Sequence, residues 1–180
     1  MEITQTDLEG LLIIKPRIFT DERGYFFESW NKETFSKAGI PTDFIQDNQS
    51  MSKQGVLRGL HFQAPPHAQA KLVRVIRGAV LDVAVDIRKK SPTYGKHVAI
   101  ELSEENQLFF YIPEGFAHGF LTLEPDTIFS YKCSRLYNKN SEDCLLWNDP
   151  YLAISWNTTD PIVSEKDKEG KPFRKLQSLF

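Results

Sequence analysis

The feature that most restricts the fold is a two-residue apolar alternation that keeps restarting along the chain. In AVLDVAVDIR, residues 79–88, an extended backbone places Leu81, Val83, Val85 and Ile87 on one face and Val80, Asp82, Ala84 and Asp86 on the other. FIQDNQS, VLRGLHFQ, KLVRVIRG, KHVAIEL, LFFYIPEG, FAHGFLTL and TIFSYKCSRLY are further strand-like segments, punctuated by Gly, Pro, Asn or Ser. Many short strands at such spacing close into a sandwich or barrel, so the predicted class is all-β with a few short peripheral helices. Upstream, LLIIKPRIF (11–19) is a strand broken at Pro16, and DERGYFFESW carries a turn at Arg23-Gly24 followed by an aromatic strand. NKETFSKAGI (31–40) is the clearest helix, with Phe35 and Ala38 at helical spacing and a stop at Gly39 and Pro41. No linker, repeat or low-complexity segment divides the 180 residues, which predicts one domain over 1–180 with the N-terminal strands and the C-terminal tail as appendages.

Composition narrows the partners. At 41% hydrophobic residues with thirteen Phe, the chain can bury a thick apolar interior. Its formal charge of -2 gives no long-range attraction for nucleic acid or an anionic membrane. The longest apolar runs, such as LFFYI, are too short to span a bilayer, and MEITQTDLEG shows no signal-peptide pattern. Cys133 and Cys144 have no metal-like spacing and no disulfide framework, so the expected compartment is a reducing cytoplasm.

VLRGLHFQ (56–63) sets an arginine and a histidine among apolar residues. Strict alternation puts Arg58 and His61 on opposite faces; a bulge at Gly59 would bring both to one side. Taken alone, the window reads as a rim arginine and a satisfied core histidine. Lys71 at the head of KLVRVIRG reads as a solvated strand start, and Arg74 and Arg77 as surface charges. Tyr131 shares a face with Phe129 and Cys133, and a buried tyrosine commonly has a structural hydrogen bond. SEKD (164–167) sits in a charged tail, where solvation is the plain reading.

IPEGFAHGF (112–120) is a Pro-x-Gly-x-x-His turn leading into a strand that begins near His118, and it resembles the second motif of the cupins, jelly-roll β-barrels that hold a ligand inside. Metal-binding cupins use His-x-His and a Glu in their first motif. Here that strand offers only His61, followed by Phe62 and Gln63, with His67 in a Pro-rich loop and His97 elsewhere. The expectation is a metal-free cavity in which organic acid–base groups do any chemistry.

Over nearly its whole length the chain is similar to the dTDP-4-dehydrorhamnose 3,5-epimerase family. The shared motifs, in order, are DERGYFFES, FIQDNQS, GVLRGLHFQ, AKLVRV, DVAVDIRKKSPTYG, IPEGFAHGF, YKCSRLYNKNSE, LWNDP and SEKD. The resemblance implies a cupin-type jelly roll that inverts C3 and C5 of dTDP-4-dehydro-6-deoxy-glucose, without cofactor or metal, in a homodimer whose N-terminal strands cross to the partner. It implies His61 as catalytic base, Asp167 as its carboxylate partner, Tyr131 as acid, and Lys71 near the substrate's keto oxygen. It implies nucleotide contacts at Arg23, Glu28, Gln46, Asn48, Arg58, His118, Glu142 and Lys166, and Tyr137 close to the sugar or its nucleotide.

The chemistry accounts for these residue types. A hydrogen beside a ketone is acidic because the anion spreads onto the carbonyl oxygen as an enolate. Inversion requires a base on one side of the ring and an acid on the other. An imidazole titrates at about 6.5 and suits the base, and a phenol at about 10 stays protonated and suits the acid. A lysine cation stabilises the enolate oxygen, and arginines neutralise a diphosphate. The rival readings are a one-carbon epimerase, a ketoisomerase of related dTDP-sugars, a metal-dependent cupin enzyme and a non-catalytic sugar-nucleotide binding module.

Overall fold

The computed structural model describes residues 1–180. Its strands are β1 (Glu2–Gln5), β2 (Leu12–Lys15), β3 (Phe19–Asp21), β4 (Gly24–Phe26), β5 (Gln46–Ser52), β6 (Val56–Gln63), β7 (Lys71–Arg77), β8 (Ala79–Asp86), β9 (His97–Ser103), β10 (Phe109–Ile112), β11 (Phe116–Thr122), β12 (Thr127–Cys133), β13 (Glu142–Cys144) and β14 (Ile162–Val163). Helix α1 (Lys32–Lys37) precedes β5, and α2 (Glu165–Lys168) and a 3-10 turn (Phe173–Lys175) follow β14. No helix is long and apolar enough to cross a membrane.

Two antiparallel sheets form the jelly roll. One runs β1-β2-β10-β7-β12-β5; the other runs β13-β6-β11-β8-β9, with β14 added parallel to β6. Strands β3 and β4 make a separate hairpin at the predicted Arg23-Gly24 turn. Between the sheets, Val73, Val75, Phe110 and Phe129 from the first pack on Val80, Ala84, Phe116 and Phe120 from the second. Each fully buried Val or Phe here contributes roughly 1.5–3 kcal/mol.

Both sheets are also covered on their outer faces, so β8 is buried on both sides. Val83, Val85 and Ile87 pack beneath Leu145, Leu152, Trp156 and Phe173 from the C-terminal third of the chain. Phe173 of the charged tail thus joins Leu145, Leu152 and Trp156 in the outer core layer of the second sheet. On the first sheet, Phe35 and Ile40 close over Ile14, Leu72 and Phe109. Helix α1 starts where Asn31 caps it by accepting from the Thr34 N–H at 3.0 Å, and Gly39 ends it at φ +87°. Arg74 is corrected from a surface charge: its guanidinium lies over the Phe27 and Phe109 rings, 5.3 and 5.5 Å from their centroids. Arg77 is exposed, as expected.

Candidate active site

Strand β6 carries the irregularity that builds the site. His118 pairs with His61 and Phe120 with Arg58, so Gly59 and Leu60 together oppose the single residue Gly119. This bulge resets the alternation: Leu57, Leu60 and Phe62 turn to the outer core, while Arg58 and His61 both line the space between the sheets. Gly59 sits at φ +129°, and a Cβ there would lie 2.5 Å from the Gly119 Cα and 2.9 Å from the His118 carbonyl oxygen. Only glycine tolerates both the conformation and the approach.

The space is a cavity of about 470 Å³. The second sheet contributes Arg58, His61, His118 and Phe120; the first contributes Ser50, Lys71, Phe129 and Tyr131; β14 and α2 close one side with Lys166 and Asp167. A recess of about 90 Å³ shares His61, Lys71 and Tyr131 and adds Gln46, Asn48, Tyr137 and Glu142.

His61 is held by a carboxylate that arrives from 106 residues away. Its Nε2 lies 2.6 Å from Asp167 Oδ1, and the Gly59 N–H donates to Asp167 Oδ2 at 3.3 Å. Asp167 is placed by the cap of α2, where its own N–H donates to Ser164 Oγ at 3.2 Å. Burial alone would raise the Asp167 pKa, but the imidazole and the Gly59 N–H hold it below the usual carboxylate value. The carboxylate thus accepts Nε2–H and leaves Nδ1 as the ring nitrogen able to take a proton.

Across the lumen, Tyr131 stands on the opposite sheet. Burial, with the nearby Cys133, pushes its phenol up, so it stays protonated at neutral pH. Lys71 Nζ lies 5.9 Å from the Tyr131 ring centroid, and burial lowers its pKa. Lys71 is corrected from a solvated strand start, because β7 directs residues 71, 73 and 75 inward. His118 also lines the cavity, but its Nε2 is engaged 3.0 Å from each oxygen of the fully buried Asp82, and burial keeps its pKa below the ordinary histidine value.

At the rim, Glu142 accepts from Tyr137 Oη at 2.8 Å and pairs with Lys166 Nζ at 2.5 Å. Burial opposes its ionisation, and these two donors reverse that and lower its pKa. Gln46 Oε1 accepts the Tyr137 N–H at 2.9 Å while its amide donates to Asn48 at 3.1 Å. The Arg58 side chain makes one hydrogen bond, from Nε to Ser52 Oγ at 3.2 Å.

Two candidate residues lie elsewhere. The Arg23 side chain is 85% exposed at the β3–β4 turn and pairs with Asp21; Glu28 accepts from the Asn31 side-chain amide. Neither lines the cavity of its own chain. Three residues at the site were not singled out from the sequence. Ser50 Oγ is buried at the cavity wall without a partner, Asp82 backs His118, and Cys144 pairs with His61 in the β13–β6 ladder. Their signal was the inward register of β5, β8 and β13, which is visible only once the strands are paired.

Comparison with known proteins agrees with this architecture. The family model described as dTDP-4-dehydrorhamnose 3,5-epimerase matches residues 5–175. A dTDP-4-dehydrorhamnose 3,5-epimerase of Methanothermobacter thermautotrophicus is 51% identical over 173 residues, covering 94% of this chain and 93% of the relative. The crystal structure of the Elizabethkingia anophelis enzyme of the same name superposes with a TM-score of 0.92 at 49% identity, over 97% of each chain. A dTDP-6-deoxy-D-glucose-3,5-epimerase from Legionella pneumophila, solved in complex with dTDP-4-keto-L-rhamnose, gives a TM-score of 0.93 at 45% identity, over 97% of this chain and 94% of that one. The chain belongs to the dTDP-4-dehydrorhamnose 3,5-epimerase family.

Proposed function

We propose that the chain inverts C3 and C5 of dTDP-4-dehydro-6-deoxy-glucose to give dTDP-4-dehydro-rhamnose, with His61 as base and Tyr131 as acid. The observation that carries this assignment is the placement of those two groups on facing sheets of one cavity. His61 Nδ1 removes the proton beside the ketone, and the imidazolium that forms is stabilised by Asp167. Electron density moves to the keto oxygen, where the Lys71 ammonium stabilises the enolate. Tyr131 then delivers a proton from the opposite face of the ring. The ketone is itself the electron sink, so the steps need no added electron acceptor.

Arg58 and Lys166 suit the diphosphate. Gln46, Asn48, His118, Tyr137 and Glu142 suit the remaining polar groups of the nucleotide sugar. Arg23 and Glu28, on or beside an exposed hairpin carrying Phe19, Tyr25 and Phe26, suit a homodimer in which the hairpin reaches the partner's cavity. Light scattering tests that assembly: a monomer at assay concentration removes it. Two free buried cysteines are in keeping with a cytoplasmic location.

Turnover in deuterated water tests the reaction. Deuterium at both carbons flanking the ketone is expected; label at one carbon makes the chain a one-carbon epimerase, and no label makes it a binding module. The His61→Ala variant is expected to bind dTDP like the parent and to lose turnover.

A further inference from the structure

The fold places a third donor behind the catalytic pair. Cys144 is the ladder partner of His61, and a donor atom from each of His61, Cys144 and Asp167 lies within 4.8 Å of the other two. Imidazole, thiol and carboxylate together form a set that suits a borderline-soft divalent cation such as Zn²⁺ and does not suit Mg²⁺ or Ca²⁺. We infer that His61, Cys144 and Asp167 form an inhibitory site for a thiophilic divalent cation, seated on the base that drives epimerisation.

The geometry requires modest movement. Tetrahedral zinc holds its donors roughly 3.3–3.8 Å apart, with bonds of about 2.0–2.3 Å. The His61–Asp167 contact must open from 2.6 Å, and the widest donor separation must close by about an ångström from its limit of 4.8 Å. Side-chain rotation supplies such a change, because His61 keeps 30% of its side-chain surface open on the cavity side. The cavity, lined by His61 and Asp167, also provides an approach for the ion.

Proton bookkeeping explains why an ion there would stop the reaction. In the resting site Nε2–H is donated to Asp167 and Nδ1 holds the lone pair that acts as base. When the cation takes the Nε2 lone pair, the neutral ring must carry its proton on Nδ1, and the base is lost. Cys144 gives up its thiol proton to solvent as the metal–sulfur bond forms, together with its present contact to the Leu145 carbonyl at 3.4 Å. That thiol is pushed up to about 12, chiefly by burial, so the cation must supply the driving force for deprotonation. Three protein donors, rather than the four of a closed structural site, make this a place for reversible inhibition.

Cobalt(II) titration of the intact protein tests the site without turnover, so its outcome is independent of the epimerase assignment. Expected is one equivalent of Co²⁺ with a near-ultraviolet thiolate-to-cobalt charge-transfer band, retained in Cys133→Ser and lost in Cys144→Ser. His61→Ala, which keeps the thiol, is expected to weaken binding at least about tenfold through loss of one ligand. In the activity assay, which does rest on the proposed reaction, Zn²⁺ inhibits and EDTA reverses it. Mg²⁺ has no effect, and the turnover of Cys144→Ser, measured against the same variant without added metal, resists Zn²⁺. Cobalt binding without a thiolate band, a band that survives Cys144→Ser, or no cobalt binding at the site overturns the inference. Should Cys144→Ser not fold, Cys144→Ala and the wild-type and His61→Ala spectra decide the matter.

Discussion

Replacing Asp167 by Asn removes a charge while keeping the volume and the acceptor for the Gly59 N–H. In the proposed proton abstraction His61 becomes an imidazolium, and its Nε2 is 2.6 Å from the carboxylate. With the charge centres about 4 Å apart and an effective dielectric of about 20, the lost attraction is ~4 kcal/mol. That corresponds to about 10³ in rate. The amide can also turn its NH₂ toward Nε2 and trap the wrong tautomer; in the serine-protease triad the corresponding change costs about 10⁴. Asp167→Asn is therefore expected to lower kcat between about 10³ and 10⁴, with KM nearly unchanged, because the interaction strengthens only as the imidazolium forms. The assay is single-turnover conversion of the dTDP-4-keto sugar, with deuterium incorporation as a second readout. A kcat within about tenfold of the parent, in a variant that still binds dTDP, refutes the argument, since a buried pair of this geometry cannot contribute so little.

Tyr131→Phe removes the proposed acid and leaves the proposed base, so it is expected to exchange substrate hydrogen with solvent while inverting neither carbon; inversion at parental rate refutes the acid role. Gly59→Ala forces a Cβ to 2.5 Å from the Gly119 backbone at φ +129°, which is expected to cost at least about 3 kcal/mol in chemical denaturation, and a loss below about 1 kcal/mol would show that the bulge relaxes. Asp86 is fully buried; burial opposes its ionisation, but Arg88, Ser91 and Thr93 donate to it and bring its pKa from 3.8 down to about 2. A depressed carboxylate stabilises the fold above its unfolded pKa and loses that contribution as pH falls through the folded one. Asp86→Asn is thus expected to cost roughly 2 kcal/mol at pH 7 and progressively less from pH 4 toward pH 2, and a penalty independent of pH contradicts the assignment.

Local periodicity is a property of the backbone, and it made the strands legible: the alternating residues of β8, the helix stop at Gly39 and the hairpin turn at Arg23-Gly24 are all where their side chains require. Alternation also showed that Arg58 and His61 share a cavity only if the strand breaks register at Gly59, and the β6–β11 ladder breaks there. The motifs, through their family resemblance, named the residues of the cavity but not their neighbours. Asp167 looked like a solvated tail carboxylate, and Lys71 and Arg74 looked like surface charges, because charge says nothing about what will cover it. Tertiary structure decided those positions. The C-terminal segment lays Leu152, Trp156 and Phe173 onto the outer face of the second sheet, and that burial carries Asp167 under the bulge to His61. The same pairing of distant segments put Cys144 beside His61, while Arg23 and Glu28 line no part of their own chain's cavity. Sequence determined the alternation of side chains along each strand; which face turns inward, and which strands lie side by side, was set by the apolar surfaces that had to be covered.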